Sequence, residues 1–170
     1  MAAKEYSNGE LTIVWQPEKC IHAGVCVKTL PEVYKPKEKP WISQDNAPTE
    51  ALVRQIDQCP SGALSYYFNQ DETSGVFSQN EERKRYELAI EGQTAFLEYI
   101  IAKDNKIYLT HTEVSKGLEG KGIGSRIILQ ALVDIKKKGL TLVPLCPFVA
   151  GYLKKHPEWR DLVFKGVNIA

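Results

Sequence analysis

Cys20 and Cys26 bracket a short run, Cys20-Ile-His-Ala-Gly-Val-Cys26, and a third thiol, Cys59, is followed directly by Pro60. Soft thiolate sulfur binds iron strongly and tolerates the charge of an iron–sulfur cluster. A short loop wraps one face of such a cluster. A remote Cys-Pro closes the other, its proline blocking continuation of a helix. The same thiols with His22 could instead hold zinc, although the paired short knuckles usual for zinc are missing. A third reading makes Cys20, Cys26 and Cys59 small buried hydrophobes.

A second group of residues lies in the other half of the chain. The run Leu118-Glu119-Gly120-Lys121-Gly122-Ile123-Gly124 falls between a strand pattern and a helix pattern. A helix start preceded by glycines exposes unpaired N–H groups and a positive dipole end, which suits a pyrophosphate. Glycines also let the backbone approach the phosphates without a Cβ in the way. A P-loop is excluded because the Gly-Lys-Ser/Thr ending is absent. A dinucleotide fold is disfavoured because the preceding elements read as antiparallel hairpins. Arg126, Lys121 and Lys154 could meet phosphate charge. His111 and Glu113, two apart on a strand, share a face if that strand is regular.

The elements that must position these groups follow from periodicity. Leu11, Ile13 and Trp15 alternate as in a strand, and the cysteine loop and a Pro- and Lys-rich connection follow. Thr49, after Pro48, is the expected N-cap of a helix carrying Leu52, Val53 and Ile56 on one stripe. That helix ends near Gln58, because Cys59 precedes a proline and avoids the helical region. Ala63 to Phe68 is a further apolar run. Residues 69–85 are polar apart from Val76 and Phe77 and read as a linker. Three strands are expected over 86–90, 94–102 and 106–114, then the glycine turn. Ile127, Ile128, Ala131, Leu132 and Ile135 predict an amphipathic helix from about Ser125 to Lys138, with cations at its C-terminal end. Leu140 to Leu145 is a strand, and Phe148 to Lys155 a last helix with Val149, Tyr152 and Leu153 inward.

Composition bounds what such a chain does. Of 170 residues, 43% are hydrophobic and 25% charged, an ordinary globular profile that allows two small domains. A net charge of +1 supplies no basic footprint, so nucleic acid is not an expected partner. No apolar run reaches membrane-spanning length, and the N-terminal residues lack a signal-peptide core. No membrane association and a cytoplasmic location are therefore the expectation, with reduced thiols acting as ligands, nucleophiles or packing groups.

The first segment resembles the divergent mono-cluster ferredoxin family. The likeness covers residues 1–70 and rests on Cys20 to Cys26, Leu30-Pro31-Glu32-Val33, Trp41, and Cys59-Pro60-Ser61-Gly62-Ala63-Leu64. It implies a cluster held by Cys20, Cys26 and Cys59. A full pattern would place a thiol at position 23, where this chain has Ala23. Three thiolates suit a [3Fe-4S] cluster, or a [4Fe-4S] cluster whose fourth iron takes another ligand, His22 being the nearest in sequence.

The second segment resembles a compact, predicted-acetyltransferase branch of the GNAT superfamily. That likeness rests on His111-Thr112-Glu113-Val114, Glu119 to Gly124, and Pro144-Leu145-Cys146-Pro147-Phe148-Val149 with Tyr152. Glu119 departs from the Gln or Arg that usually opens the acetyl-CoA loop, at a position that works through backbone. Together the resemblances imply an α+β protein. Residues 1–70 would form a ferredoxin-like iron–sulfur domain, 71–84 a linker, and 85–170 a GNAT-like antiparallel sheet with two helices.

The implied reaction passes acetyl from acetyl-CoA to an unidentified amine. Backbone of Gly120, Gly122, Ile123, Gly124 and Ser125 would hold the pyrophosphate, and N–H groups near Glu113 and Val114 would polarise the thioester carbonyl. His111 or Glu113 would take the amine proton. Cys146 either shuttles acetyl or is a packing thiol, since no base adjoins it in sequence. Tyr152 either protonates the leaving thiolate or is a half-buried helix tyrosine. The cluster domain would be a sensor or docking partner for an acetyltransferase. In the alternative, the protein is an electron carrier or redox switch that meets a redox partner protein and only binds CoA.

Overall fold

The computed structural model describes residues 2–71 and 73–169, and the chain divides into two compact units, Met1–Asn69 and Gln70–Ala170. In the first, β1 (Lys4–Ser7), β2 (Leu11–Trp15) and β3 (Leu64–Phe68) form an antiparallel sheet in that order. Leu11 and Ile13 are fully buried, as the alternation of β2 requires. α1 (Val25–Thr29) and α2 (Thr49–Ile56) complete the unit, with Leu52 and Val53 of α2 equally buried.

Thr49 is not the cap of α2. Pro48 holds that position, and the Thr49 hydroxyl instead donates to Glu10 Oε2 at 2.8 Å and accepts from Asn8 Nδ2 at 3.2 Å. Proline at the cap sets an extended entry, which leaves the threonine one residue inside and turned toward the β1–β2 hairpin. β1, which carries no apolar alternation, pairs only along one edge and is mostly exposed.

The second unit contains a five-stranded sheet in sequence order. Its strands are β4 (Val76–Asn80), β5 (Arg85–Ile90), β6 (Gln93–Ile101), β7 (Lys106–Glu113) and β8 (Thr141–Pro144). Pairing is antiparallel up to β7, and β8 runs parallel to β7. α3 (Ile123–Lys137) lies on the sheet with Ile127, Ile128, Ala131, Leu132 and Ile135 fully buried, and α4 (Pro147–Lys155) follows β8. No helix among the described residues is long and apolar enough to cross a membrane.

β4 falls inside the segment that its polarity marked as a linker. Its pairing with β5 is consolidated by Phe77 stacked on Tyr86, ring centroids 5.5 Å apart. The turn into it is built on Asp71. One carboxylate oxygen accepts from Thr73 N, Thr73 Oγ1 and Ser74 N at 2.9, 2.7 and 2.7 Å, and the other from Ser74 Oγ at 2.8 Å. Arg126 of α3 donates to the Ser74 carbonyl, so the turn is fastened to the helix. Gly75 follows with φ +89, where a Cβ would lie 3.0 Å from Leu88 and Ile90 side chains.

Two departures from regular strand geometry shape the far edge of the sheet. Between β6 and β7, Glu98 faces His111 but Tyr99 faces Leu109, so Thr110 is an extra residue in β7. Ile107 and Leu109 are buried under α3. Beyond the bulge the alternation is reversed: Thr112 pairs with buried Leu97, and His111 and Glu113 are exposed on the opposite face with Glu98 and Phe96. Between β7 and β8 the register runs only from Lys106↔Thr141 to Leu109↔Pro144. Leu145 N and Cys146 N then both donate to the Leu109 carbonyl at 2.9 Å. At that point β8 ends and α4 begins, while β7 continues to Glu113.

Hydrogen bonds to the backbone and hydroxyl of Ser74 and to Thr73 hold the Asp71 carboxyl well below the usual carboxylate range. A depressed folded-state pKa contributes stability above the unfolded value of about 3.9 and loses it as pH falls through the folded one. In urea unfolding between neutral and strongly acid pH, Asp71→Asn should flatten the acid-side slope, and an unchanged slope would contradict this role. Inserting one alanine between Thr110 and His111 should reverse the alternation beyond the bulge and swing His111 and Glu113 beneath α3. Chemical denaturation should then show a loss of about 3 kcal/mol or more, whereas Thr110→Val, which keeps the extra residue, should cost under about 1 kcal/mol.

Candidate functional site

Cys20 closes a short 3-10 turn, Pro17–Lys19, its N–H bonding to the Pro17 carbonyl at 3.1 Å. The loop then curls through two left-handed residues, His22 at φ 55 and Gly24 at φ 71, and Gly24 begins α1 so that Cys26 sits in its first turn. Cys59 arrives from the end of α2, its N–H bonded to the Ile56 carbonyl at 3.0 Å. All three thiols line one pocket, walled further by Trp15, Trp41 and Gln55, with Ala23 also at its surface. Trp15 and Trp41 meet edge to face at 4.7 Å.

The electrostatics of the three differ. Burial pushes the Cys26 thiol up, helped by the charges of Cys20 and Cys59, against the pull of backbone hydrogen bonds. Burial also acts to raise Cys59, but hydrogen bonds with the backbone of Leu64, Ser61 and Ala63 and the Ser61 hydroxyl outweigh it and hold that thiol below its ordinary value. Cys59 is thus readier than Cys26 to ligate as thiolate.

Among the described residues, no three His, Cys, Asp or Glu side chains gather closely enough for a single metal ion. A tetrahedral ion with bonds near 2.3 Å would draw its sulfurs within about 4 Å of one another. Thiols spread around a shared hollow fit a polynuclear cluster, which brings its own width. Two buried polar groups in the walls suit the same occupant: Trp41 Nε1 and both amide atoms of Gln55 find no hydrogen-bond partner among the described residues. His22 lines the pocket but is exposed. A larger hollow of about 760 Å³ shares Cys20, His22, Gly24 and Cys26 with it.

In the second unit, the first turns of α3 and α4 and the end of β7 converge. Gly122, at φ 75, begins α3 with no side-chain cap, which leaves the first-turn amides of Ile123, Gly124 and Ser125 without a capping side chain. A Cβ on Gly124 would lie 2.7 Å from the Phe148 ring and 3.6 Å from Val114 Cγ2, so only glycine lets these three elements close up. Gly120 is also left-handed, at φ 73.

The remaining residues predicted from sequence fall into separate places. Cys146 caps α4, is 4% exposed, and lies 3.3 Å from Thr112 Oγ1 on the helix side of the sheet. Tyr152 is buried in α4, its ring stacked on His156 at 4.1 Å. His111 Nε2 and Glu113 Oε2 stand 3.5 Å apart on the outer face, beside Phe96 and across from Glu98. Arg126 donates to the Ser74 carbonyl of the Asp71 turn, where a phosphate partner was expected. Lys121 stands 3.8 Å from Glu91, both well exposed, and Lys154 is exposed on α4. Gln55 was not singled out by sequence, and Thr112 and Phe148 entered only inside motifs, with no role of their own. Only the glycine at 124, opposite an aromatic start to the last helix, offered a signal.

Residues 85–162 match the family described as GCN5-related N-acetyl-transferase, and residues 6–69 the family described as divergent 4Fe-4S mono-cluster. An uncharacterized protein, YjdI, of Escherichia coli strain K12 is 36% identical over 61 residues, 36% of this chain and 80% of that protein. YjdI of Escherichia coli O157:H7 matches to the same extent. With its three thiols around one pocket and this relative covered over most of its length, the chain belongs to the divergent 4Fe-4S mono-cluster family through residues 6–69, and its residues 85–162 match the GCN5-related N-acetyl-transferase family.

Proposed function

We propose that the second unit transfers acetyl from acetyl-CoA to an amine, and that the first holds an iron–sulfur cluster that senses redox state or docks a partner. The observation that carries the transferase reading is the parting of β7 from β8 at Leu109, with the uncapped start of α3 beside it. A diphosphate fits the amides of Ile123, Gly124 and Ser125, where unpaired N–H groups and the helix dipole both favour negative charge. The thioester then lies along β7 beyond Leu109, its carbonyl toward backbone N–H near Val114. Lys121 is free to exchange its weak exposed pairing with Glu91 for a phosphate.

The acceptor approaches from the outer face, where Glu98 and Glu113 attract an ammonium ion. His111 or Glu113 takes its proton. The free amine attacks the thioester carbon, the C–N bond forms, the C–S bond breaks, and the CoA thiolate leaves and is reprotonated. Cys146, buried against Thr112, acts in packing and not as an acetyl carrier. Tyr152, enclosed against His156, likewise serves structure.

In the first unit Cys20, Cys26 and Cys59 would hold the cluster, which supplies one-electron chemistry when bound. Trp15 and Trp41 keep water from one side of it.

Titration calorimetry with acetyl-CoA tests the phosphate site. Ser125→Glu adds a carboxylate where the helix dipole welcomes it, so the fold should be as stable as before, yet it repels a diphosphate. Affinity should fall by about tenfold or more (~1.4 kcal/mol); equal affinity would remove the assignment. His111→Gln and Glu113→Gln, followed by thiol release with mixed amines, should identify the base through a loss of about 10²-fold or more. Purified under argon, the protein should be brown with about three or four irons per chain, and Cys59→Ala should lose most of that iron. A colourless argon preparation without labile sulfide would end the cluster reading, and equal acetylation rates in argon and air would end the sensor role.

A further inference from the structure

Gln55 is the least explained polar residue in the first unit. It lies on α2, four residues before Cys59, and is 0% exposed. Both Oε1 and Nε2 are sealed from solvent with no hydrogen-bond partner among the described residues. Leaving a buried amide wholly unsatisfied costs about 1–3 kcal/mol or more, and α2 would be better packed with leucine there. Gln55 is among the residues that line the pocket shared by Cys20, Cys26 and Cys59, and Ala23 lines the same pocket without offering a donor. An occupant satisfies the carboxamide at both ends if it offers an electron-pair acceptor or hydrogen-bond donor to Oε1 and a hydrogen-bond acceptor to Nε2. A cluster has both, as iron and as sulfide.

On the reading that residues 6–69 hold a cluster, we infer that the Gln55 carboxamide oxygen ligates the iron for which Ala23 provides no thiolate, while Nε2–H donates to cluster sulfur. This favours a [4Fe-4S] cluster with one oxygen-ligated iron over a [3Fe-4S] cluster. His22 is the weaker claimant, because its side chain is exposed. The asymmetry gives the cluster one labile corner. A neutral oxygen donor binds iron less firmly than thiolate, so this iron is the first to leave on oxidation.

The test compares wild type, Gln55→Leu and Gln55→Glu after anaerobic reconstitution with iron and sulfide. Wild type should hold four irons per chain with one distinct iron site by Mössbauer spectroscopy. Gln55→Leu should hold three irons and give the EPR signal of an oxidised three-iron cluster. Gln55→Glu should keep four irons at a lower reduction potential, because an anionic ligand stabilises the oxidised cluster. The apo proteins give an independent readout: Gln55→Leu should melt higher than wild type, since it removes an orphaned amide. A Gln55→Leu protein with the iron content, spectrum and potential of wild type would overturn the assignment while leaving the cluster intact. A wild type that takes up no iron would overturn the cluster reading itself and this assignment with it.

Discussion

One carbonyl organises the second unit. Leu109 O receives two amides, Leu145 N and Cys146 N, directly after Pro144. A parallel pair can continue only while each strand supplies its donors in turn. The ladder therefore stops at that point, and α4 starts at once instead of β8 running on. Everything downstream is a response to that stop. β7 is left with an edge, Gly124 allows α3 to come against Phe148 and Val114, and the bulge at Thr110 sorts the polar residues of β7 onto the face away from the helix.

In the first unit the corresponding constraint is size. A unit of 69 residues buries a small core, here Leu11, Ile13, Val33, Ile42, Leu52 and Val53, and such domains commonly lean on disulfides or metals. Its thiols are free and its pocket walls contain polar atoms with no protein partner. An unliganded unit would thus carry a standing electrostatic penalty beside its core, and metal binding would contribute to folding as well as to redox chemistry.

Elements with strong periodicity were legible in the sequence. The stripe of α3, the alternation of β2 and β5 to β7, and the break at Cys59-Pro60 each follow from a rule that acts within a dozen residues. β1 and β4 were not legible, because edge strands pair through backbone and need no apolar face; Val76 is 45% exposed. Nor was the bulge, since Thr110 is chemically no different from a regular strand residue. The family motifs found the thiols and the glycine turn. They could not distinguish Cys146 from a nucleophile or expose Gln55, because both depend on what lies opposite them in space. Thr49 was misplaced by one residue for a similar reason: its hydroxyl is satisfied by Glu10 and Asn8, far away in sequence.

The Trp15–Trp41 contact has an optical consequence. The chain has three tryptophans, and these two touch each other in the wall beside the three thiols. Iron–sulfur chromophores absorb broadly across the near ultraviolet and visible, where indole emits. Energy transfer over a few ångströms would keep both rings dark while the pocket is filled. With a cluster in the pocket, emission from this pair would be a native lamp that brightens as iron departs, readable in intact protein without any label.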